Sequence, residues 1–402
     1  MRLVLADYSG HAFPVELSHE LARRGHEVLH LYFAEFQSPK GRLSVQPGDP
    51  AGLVIEPISL GRPFAKHKLA RRRGQEIEIG RRFAARVAAF NAEAVIGCNM
   101  PLDTIRQLQR EAAHAGRKFI FWQQDIYSIA IERILVRKLG IIGRLIGRYY
   151  RSIEGQVLRS SDAVVVIAQD FLSYLHRDFG VRKDRAHVIE NWAPLDMITV
   201  RPPNNSWAQS QGVGGRKVVL YTGTLGMKHD PGLILAVAEA LNDRPDTLVV
   251  VTSEGPAAEW LLEQAAVKNL KGLRVLDFQP FEVYPDVLAS AEVVLAILES
   301  DSGAFCIPSK VLSYLCAGRA IAMSGPLDNL SARILEESGG GVAVNSGDGA
   351  GLAAAVKTYL DDPERRQAAG ARGRAYAEAT FGITDKADRF EAILSACGAP
   401  QK

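Results

Sequence analysis

Two strand-to-helix turns and one helix start hold residue types suited to a diphosphate. The first turn is Tyr8-Ser9-Gly10-His11, after the apolar run RLVLAD. The second is Tyr221-Thr222-Gly223-Thr224-Leu225-Gly226-Met227-Lys228, after KVVL. Glycine lets a phosphate approach the backbone, and the free amides and dipole of the next helix favour an anion. Neither turn is a G-x-G-x-x-G fingerprint, and neither has the G-K-[ST] of a P-loop. Plain connections of an open sheet would share this pattern, so spacing alone leaves both readings open. Lys228 favours binding at the second turn. It precedes Asp230-Pro231, which reads as an N-cap with proline at the first helical position. The third feature is Gly303-Ala304-Phe305-Cys306-Ile307-Pro308-Ser309-Lys310. Here Pro308-Ser309 predicts a helix start, and Ser309 can cap or donate to phosphate. Lys310 falls in the first turn, where the dipole disfavours a cation unless an anion shares the site. A surface lysine on a capped helix is the alternative. Asp125 follows the strand-like KFIFW, at the edge where parallel sheets place ligands. It would serve equally as an N-cap for the next helix.

These residues need elements to hold them. RLVLAD, HEVLHLYF, GLVIEPI, EAVIGC, KFIFW, DAVVVIA and AHVIEN read as strands, with helical patterns between them. Strands separated by helices imply right-handed crossovers and a parallel sheet. The alternation restarts with KVVLYTG, TLVVVTS, LRVLDF, VVLAIL, AIAMSG and GVAVN. Between the two sets lies RPPNNSWAQSQGVGGRK, rich in Pro, Gly, Asn and Ser, which reads as an interdomain linker over 201–216. The expected organisation is α/β: a Rossmann-like domain over 1–200, the linker, and a second such domain over 217–384, facing the first across a cleft. A C-terminal helix over 385–402 is expected to pack back on the first domain.

Composition bounds the function. The chain has 402 residues, 47% hydrophobic and 23% charged, with a net charge of +3. That excludes a disordered or collagenous chain and does not suggest a dedicated nucleic-acid binder. Cys98, Cys306, Cys316 and Cys397 form no C-x-x-C pair, so neither a disulfide frame nor a zinc site is expected. No signal peptide is apparent, and the longest apolar runs are too short to span a bilayer. Charge is uneven. Residues 1–200 carry 29 Lys and Arg against 21 Asp and Glu, while the rest carry 19 against 24. A basic first half suggests a partner of its own.

The ordered set of motifs resembles the family-4 retaining glycosyltransferases of the GT-B fold. The matching pieces are the opening strand, glycine loop and LARRGHEV; Phe121-Trp122-Gln123-Gln124-Asp125-Ile126; SSDAVVVIAQDF; HVIENWAPLD; YTGTLGMKHDPGLIL; SEGP; FQPFEVYPDVLASAEVVLAIL; and IPSKVLSYLCAGRAIA. They span nearly the whole chain. The likeness is strongest to the branch that builds bacterial exopolysaccharide or O-antigen. The resemblance implies that Gly10 approaches the donor phosphates and that Lys228 holds the diphosphate and stabilises the departing nucleotide. Gly223, Thr224, Glu254, Gly255, Ser309, Lys310 and Ser313 would line the donor site. Asp125 would face the sugar or acceptor as a catalytic group, with His11 and Gln124 on the same side; His229 is a further candidate. The donor would be a nucleoside diphosphate sugar, UDP-sugar ahead of GDP-sugar, with no metal and no other cofactor. The sequence departs from the family pattern at a Glu-x7-Glu pair, where Phe305 and Ser313 stand. Thr224 replaces the Arg or Asn of many relatives, and Gln124 the His of several.

Further basic residues suggest a surface role. Lys66, Lys68, Arg71, Arg72 and Arg73 cluster, followed by Arg81, Arg82 and Arg86. Read as one helix over 129–160, the chain places Arg133, Arg137, Arg144, Arg148 and Arg151 within roughly a 60° arc. Such a face, with Arg144, Arg148 and Arg151 as its docking residues, suits an anionic membrane; a solvated helix face is the alternative. Gly140, Gly143 and Gly147 interrupt that helix. The expectation is therefore a cytoplasmic enzyme, peripheral on the inner membrane face, moving sugar to a lipid-linked glycan acceptor and binding no nucleic acid. A GT-B epimerase and a two-lobed binding protein are the rivals. The first needs paired carboxylates and a histidine that this sequence does not visibly assemble.

Overall fold

The computed structural model describes residues 1–38, 40–65, 68–225, 229–298 and 309–398. The chain divides into two compact units, Met1–Asn191 with Ile383–Lys402, and Trp192–Gly382. The first is built on seven strands: β1 Arg2–Asp7, β2 Glu27–Phe33, β3 Leu53–Ile58, β4 Ala94–Cys98, β5 Lys118–Gln123, β6 Ala163–Val166 and β7 Ala186–Val188. All pair in parallel, in the order β3-β2-β1-β4-β5-β6-β7. The strands are nearly continuous runs of Val, Ile, Leu and Phe because helices cover both faces of such a sheet. The winding reverses between β1 and β4, where Asp7 lies opposite Cys98. That switch point is where parallel sheets place ligands.

The second unit holds β8 Lys217–Thr222, β9 Thr247–Thr252, β10 Leu273–Leu276, β11 Val293–Ile297, β12 Ala320–Ser324 and β13 Gly341–Val344. Their order is β10-β9-β8-β11-β12-β13, again parallel, with the switch between β8 and β11. Its core joins Val219, Tyr221, Val249, Val251, Leu295 and Ile297 to the helices Pro231–Ala240 and Gly349–Asp361.

The segment read as a linker belongs instead to the second unit. Asn205 caps the short helix Ser206–Ser210 by accepting from the Ala208 amide at 2.9 Å. Trp207 is buried, and its indole N–H donates to Gln279 at 2.8 Å. One buried indole offsets the ordering of a Pro- and Gly-rich segment that composition alone marks as loose. The chain passes between units at Asn191–Trp192 and at Gly382–Ile383. The final helix, Ile383–Gly398, joins the first unit. There Phe390 meets Trp122 at 4.8 Å between ring centroids, and Arg24 bonds Asp388 and Glu391 at 2.6 and 2.5 Å.

The supposed single helix over 129–160 is also different. It spans Tyr127–Ser160 but breaks at Gly140, whose φ of 55° and ψ of −123° only glycine adopts readily. Beyond that residue the chain turns back on itself. A Cβ built on Gly143 would fall 2.1 Å from the Leu135 carbonyl oxygen, and one on Gly147 2.6 Å from Glu132 Cγ. Glu154 accepts from the amides of Tyr127 and Ser128, both at 3.0 Å. In a straight helix residues 127 and 154 would stand about 40 Å apart. The element is an antiparallel helical hairpin, and the five arginines do not share one arc.

Candidate active site

In the first unit the carboxyl ends of β1, β4 and β5 gather one polar network. Asp7 is fully buried. Its carboxylate accepts from the amides of Ser9 at 3.1 Å and His11 at 2.7 Å, and from Asn99 Nδ2 at 2.9 Å. Burial pushes the Asp7 pKa up against the pull of His11 and these bonds. The bonds shape the turn that carries Gly10, whose φ is +71°. Asn99 also has positive φ, 52°, which turns its side chain back toward β1. Gln124 and Asn191 exchange two amide bonds of 2.6 and 3.2 Å. The Cys98 thiol beside them is buried and bonded by Gln124; burial raises its pKa. His11 begins the helix Ala12–Arg23 and stacks on Phe13. Asp125 is half-buried just past β5, and its charge helps hold the Tyr127 phenol un-ionised, after burial itself.

In the second unit the ends of β8 and β9 are tied together. The Thr252 hydroxyl donates to that of Thr222 at 2.7 Å, and the Gly223 amide donates to the Thr252 carbonyl at 3.0 Å. Gly223 has a φ of +111°, so the turn needs a residue without Cβ. The Tyr221 hydroxyl donates to the Thr224 carbonyl at 3.0 Å. Lys310 is the second residue of the helix Ser309–Cys316, which follows β11 across the switch point. It donates to the Tyr221 hydroxyl at 2.7 Å, and a Cβ on Gly223 would stand 3.6 Å from its Nζ. Asp230 caps the helix Pro231–Ala240, accepting from Gly232 at 2.8 Å, with Pro231 at its first position. His229 lies 6.4 Å from the Tyr221 ring. Glu254 is exposed and Gly255, at φ +98°, opens the helix Pro256–Val267. Ser313 hydrogen-bonds the half-buried Tyr284.

Gly223, Thr224 and Lys310 thus lie together at one strand end, and Glu254 and Gly255 at the next. Gly10, His11, Gln124 and Asp125 share the corresponding edge of the first sheet. Lys228, Phe305 and Lys66 lie outside the described residues, as does the Ser309 side chain. Among the described residues, no group of three His, Cys, Asp or Glu side chains is placed to hold a metal ion. Arg151 is 3.3 Å from Asp178 and over the Phe179 ring, so it is already partnered.

Residues 11–192 match the glycosyl transferase 4-like domain, and residues 216–362 match glycosyl transferases group 1. The chain belongs to the family-4 glycosyltransferases of the GT-B fold. Glycogen synthase of Mycobacterium tuberculosis is 27% identical over 246 residues, 59% of this chain and 55% of that protein. The chain spans about half the length of the curated relatives it matches. Anabaena HepE, solved with UDP-glucose, has the same fold at a TM-score of 0.69 and 15% identity, over 98% of this chain and 100% of that one. WaaG, a glycosyltransferase involved in lipopolysaccharide biosynthesis, gives 0.68 at 15% identity, over 96% and 98%.

Three residues of this family-4 chain were not visible in its motifs. Asp7 and Asn99 organise the first turn but lie 92 residues apart in sequence. Lys40 is the third. Its ammonium bonds the carbonyls of Ser9 at 3.4 Å and Phe33 at 3.3 Å, and stands 3.5 Å from where a Gly10 Cβ would be. Burial lowers its pKa while Asp7 pulls it back. Only the pairing of β2 beside β1 could have indicated it. Tyr221 opens the second strand-to-helix turn in sequence, but only the fold brings it to Lys310 as its anchor.

Proposed function

We propose that this protein is a retaining glycosyltransferase. It moves a sugar from a nucleoside diphosphate sugar, UDP-sugar ahead of GDP-sugar, to a lipid-linked glycan acceptor in bacterial surface-polysaccharide biosynthesis. It works without a metal, in the cytoplasm, peripheral on the inner membrane face. One observation carries the reading: Lys310, in the first turn of a helix, held by Tyr221 beside the Gly223 turn at the switch point. The first amides of a helix have no partner within it, and Lys310 belongs to the first turn of this one. Such a set suits a diphosphate. As the anomeric carbon–oxygen bond breaks, negative charge grows on the leaving β-phosphate. Donors fixed in advance bind that charge more tightly in the transition state than in the ground state. Lys228 is proposed to act with Lys310, and Thr224, Glu254, Gly255, Ser309 and Ser313 to line the nucleotide.

The acceptor is assigned to the first unit, with Asp125, Gln124 and His11 on its side and Gly10 reaching the donor phosphates. The HepE complexes with UDP and UDP-glucose support the choice of nucleotide, and the role of WaaG in lipopolysaccharide biosynthesis supports the choice of pathway. A thermal-shift screen of UDP, GDP and ADP tests donor binding. UDP is expected to raise the melting temperature most, and EDTA to leave both the shift and turnover unchanged. No shift with any nucleoside diphosphate would contradict the reading.

A further inference from the structure

We propose that the tip of the helical hairpin Tyr127–Ser160 is a membrane wedge, whose apolar turn enters the headgroup region of an anionic bilayer while the cations around it hold lipid phosphates. The proposal deepens the lipid-linked acceptor reading by naming the surface on which such an acceptor would be met. Its test reads binding, not turnover, so the two can fail separately.

The tip is apolar where a soluble protein is usually polar. Ile141 is 77% exposed, Ile142 62%, Leu145 58%, Ile134 53% and Leu139 46%. Among the described residues there are fourteen exposed large apolar side chains, and these five lie within twelve positions around one turn. Scattered exposed leucines need no explanation, but a contiguous cluster marks an interaction surface.

The charges around the tip select the partner. Arg137, Lys138, Arg144 and Arg148 are exposed, and among the described residues none of them pairs with a carboxylate. Four of the six arginines of the neighbouring helix Leu69–Phe90 behave otherwise. Arg72 pairs with Glu76, Arg73 with Asp103, Arg82 with Glu78 and Arg86 with Glu56. Cations left open beside an apolar turn match lipid phosphates above an acyl boundary.

The hairpin is built to bear such an insertion. Gly143 lets its arms meet backbone to backbone and Gly147 backbone to side chain, and Glu154 clamps the start of the first arm. Ile153, Val157 and Leu158 root the second arm in the core. No described helix is long and apolar enough to cross a membrane. Insertion by one helical turn, about 5 Å, reaches the headgroup boundary where interfacial helices lie.

The test uses the full-length protein and vesicles of phosphatidylcholine, pure or with about one third phosphatidylglycerol. Wild type should bind the anionic vesicles, at least about tenfold more weakly at high salt and on pure phosphatidylcholine. A triple variant Ile141→Ser, Ile142→Ser, Leu145→Ser should lose at least about tenfold in binding, as should Arg144→Glu with Arg148→Glu. These side chains are exposed, so melting temperature and UDP binding should not change. A tryptophan placed by Ile141→Trp should shift its emission to the blue on anionic vesicles and be quenched by brominated lipid. Wild-type binding by the triple variant, or an Ile141→Trp emission unchanged by vesicles, would overturn the proposal. So would self-association that the triple variant abolishes while vesicles have no effect, since the tip would then be a protein contact.

Discussion

Lys310 donates to the Tyr221 hydroxyl at 2.7 Å, with its ammonium 4.0 Å from the centre of the ring. The two residues come from opposite sides of the switch in the second sheet, one beyond β11 and one in β8. Burial pushes the ionisation of Tyr221 far up, so the phenol beside Lys310 is neutral. The phenol oxygen and the aromatic face hold this cation beside the Gly223 turn, where an anion would be received.

Replacing Lys310 by alanine should therefore weaken UDP binding by about ten- to a hundredfold, the range of a hydrogen bond to a charged group. Turnover should fall further than binding, because charge on the leaving group grows along the reaction. Tyr221→Phe keeps the ring and removes the oxygen, so a smaller loss is expected. Calorimetric titration with UDP, beside turnover, checks all three. Unchanged binding in the alanine variant would reduce the lysine to a structural contact.

Asp125 offered two readings from sequence, a reactive carboxylate or a helix cap. Glu154 accepts from the amides of Tyr127 and Ser128, so the start of that helix has a clamp of its own. Asp125→Asn should accordingly melt within about 0.5 kcal/mol of wild type, and transfer to acceptor should fall by about a hundredfold or more. A loss of about 1–2 kcal/mol with transfer intact would assign the residue to capping instead.

Two buried groups give opposite pH dependence. Burial pushes Glu154 up to about 7 from an ordinary 4.5, against its hydrogen bonds. Between those values the folded protein binds more protons than the unfolded chain, so this contribution falls as pH rises from 4.5 to 7. Burial pushes His30 down to about 3 from 6.5, where it accepts or donates at Ser18. There the unfolded chain binds more protons, so its contribution rises with pH up to 6.5. Glu154→Gln isolates the first effect. The stability of wild type relative to that variant should fall by of order 1–3 kcal/mol between pH 4.5 and 7.5 in denaturant titrations. A constant difference would mean that Glu154 is charged throughout.

Gly140 is the hinge of the hairpin. Gly140→Ala forces a Cβ into a backbone region that L-residues avoid and should cost about 1–3 kcal/mol locally. Amide exchange should quicken across 127–160 and leave the second unit unaltered. Unchanged exchange would contradict the turn.

All thirteen strands were legible, because buried parallel strands are runs of β-branched and apolar residues bounded by turns. Their order was not, since pairing β1 with β4 depends on contacts far apart in sequence. The same limit hid Asp7, Asn99 and Lys40, which meet only when β2, β1 and β4 lie side by side. Composition misread 201–216, where one tryptophan outweighs its prolines and glycines. Periodicity misread 129–160, because arginines recur at helical spacing on both sides of Gly140 while the backbone angles of that one residue reverse the chain.

The central claim is sugar transfer from a nucleoside diphosphate sugar with retention. Incubating the full chain with UDP-sugars and a membrane lipid extract, then quantifying products by phosphorus NMR and mass spectrometry, tests it most directly. The account predicts UDP released in equal amount to glycosylated lipid, an α-linked product from an α-linked donor, and loss of both in Lys310→Ala. An epimerised sugar formed without acceptor, or a β-linked product from the same donor, would contradict it.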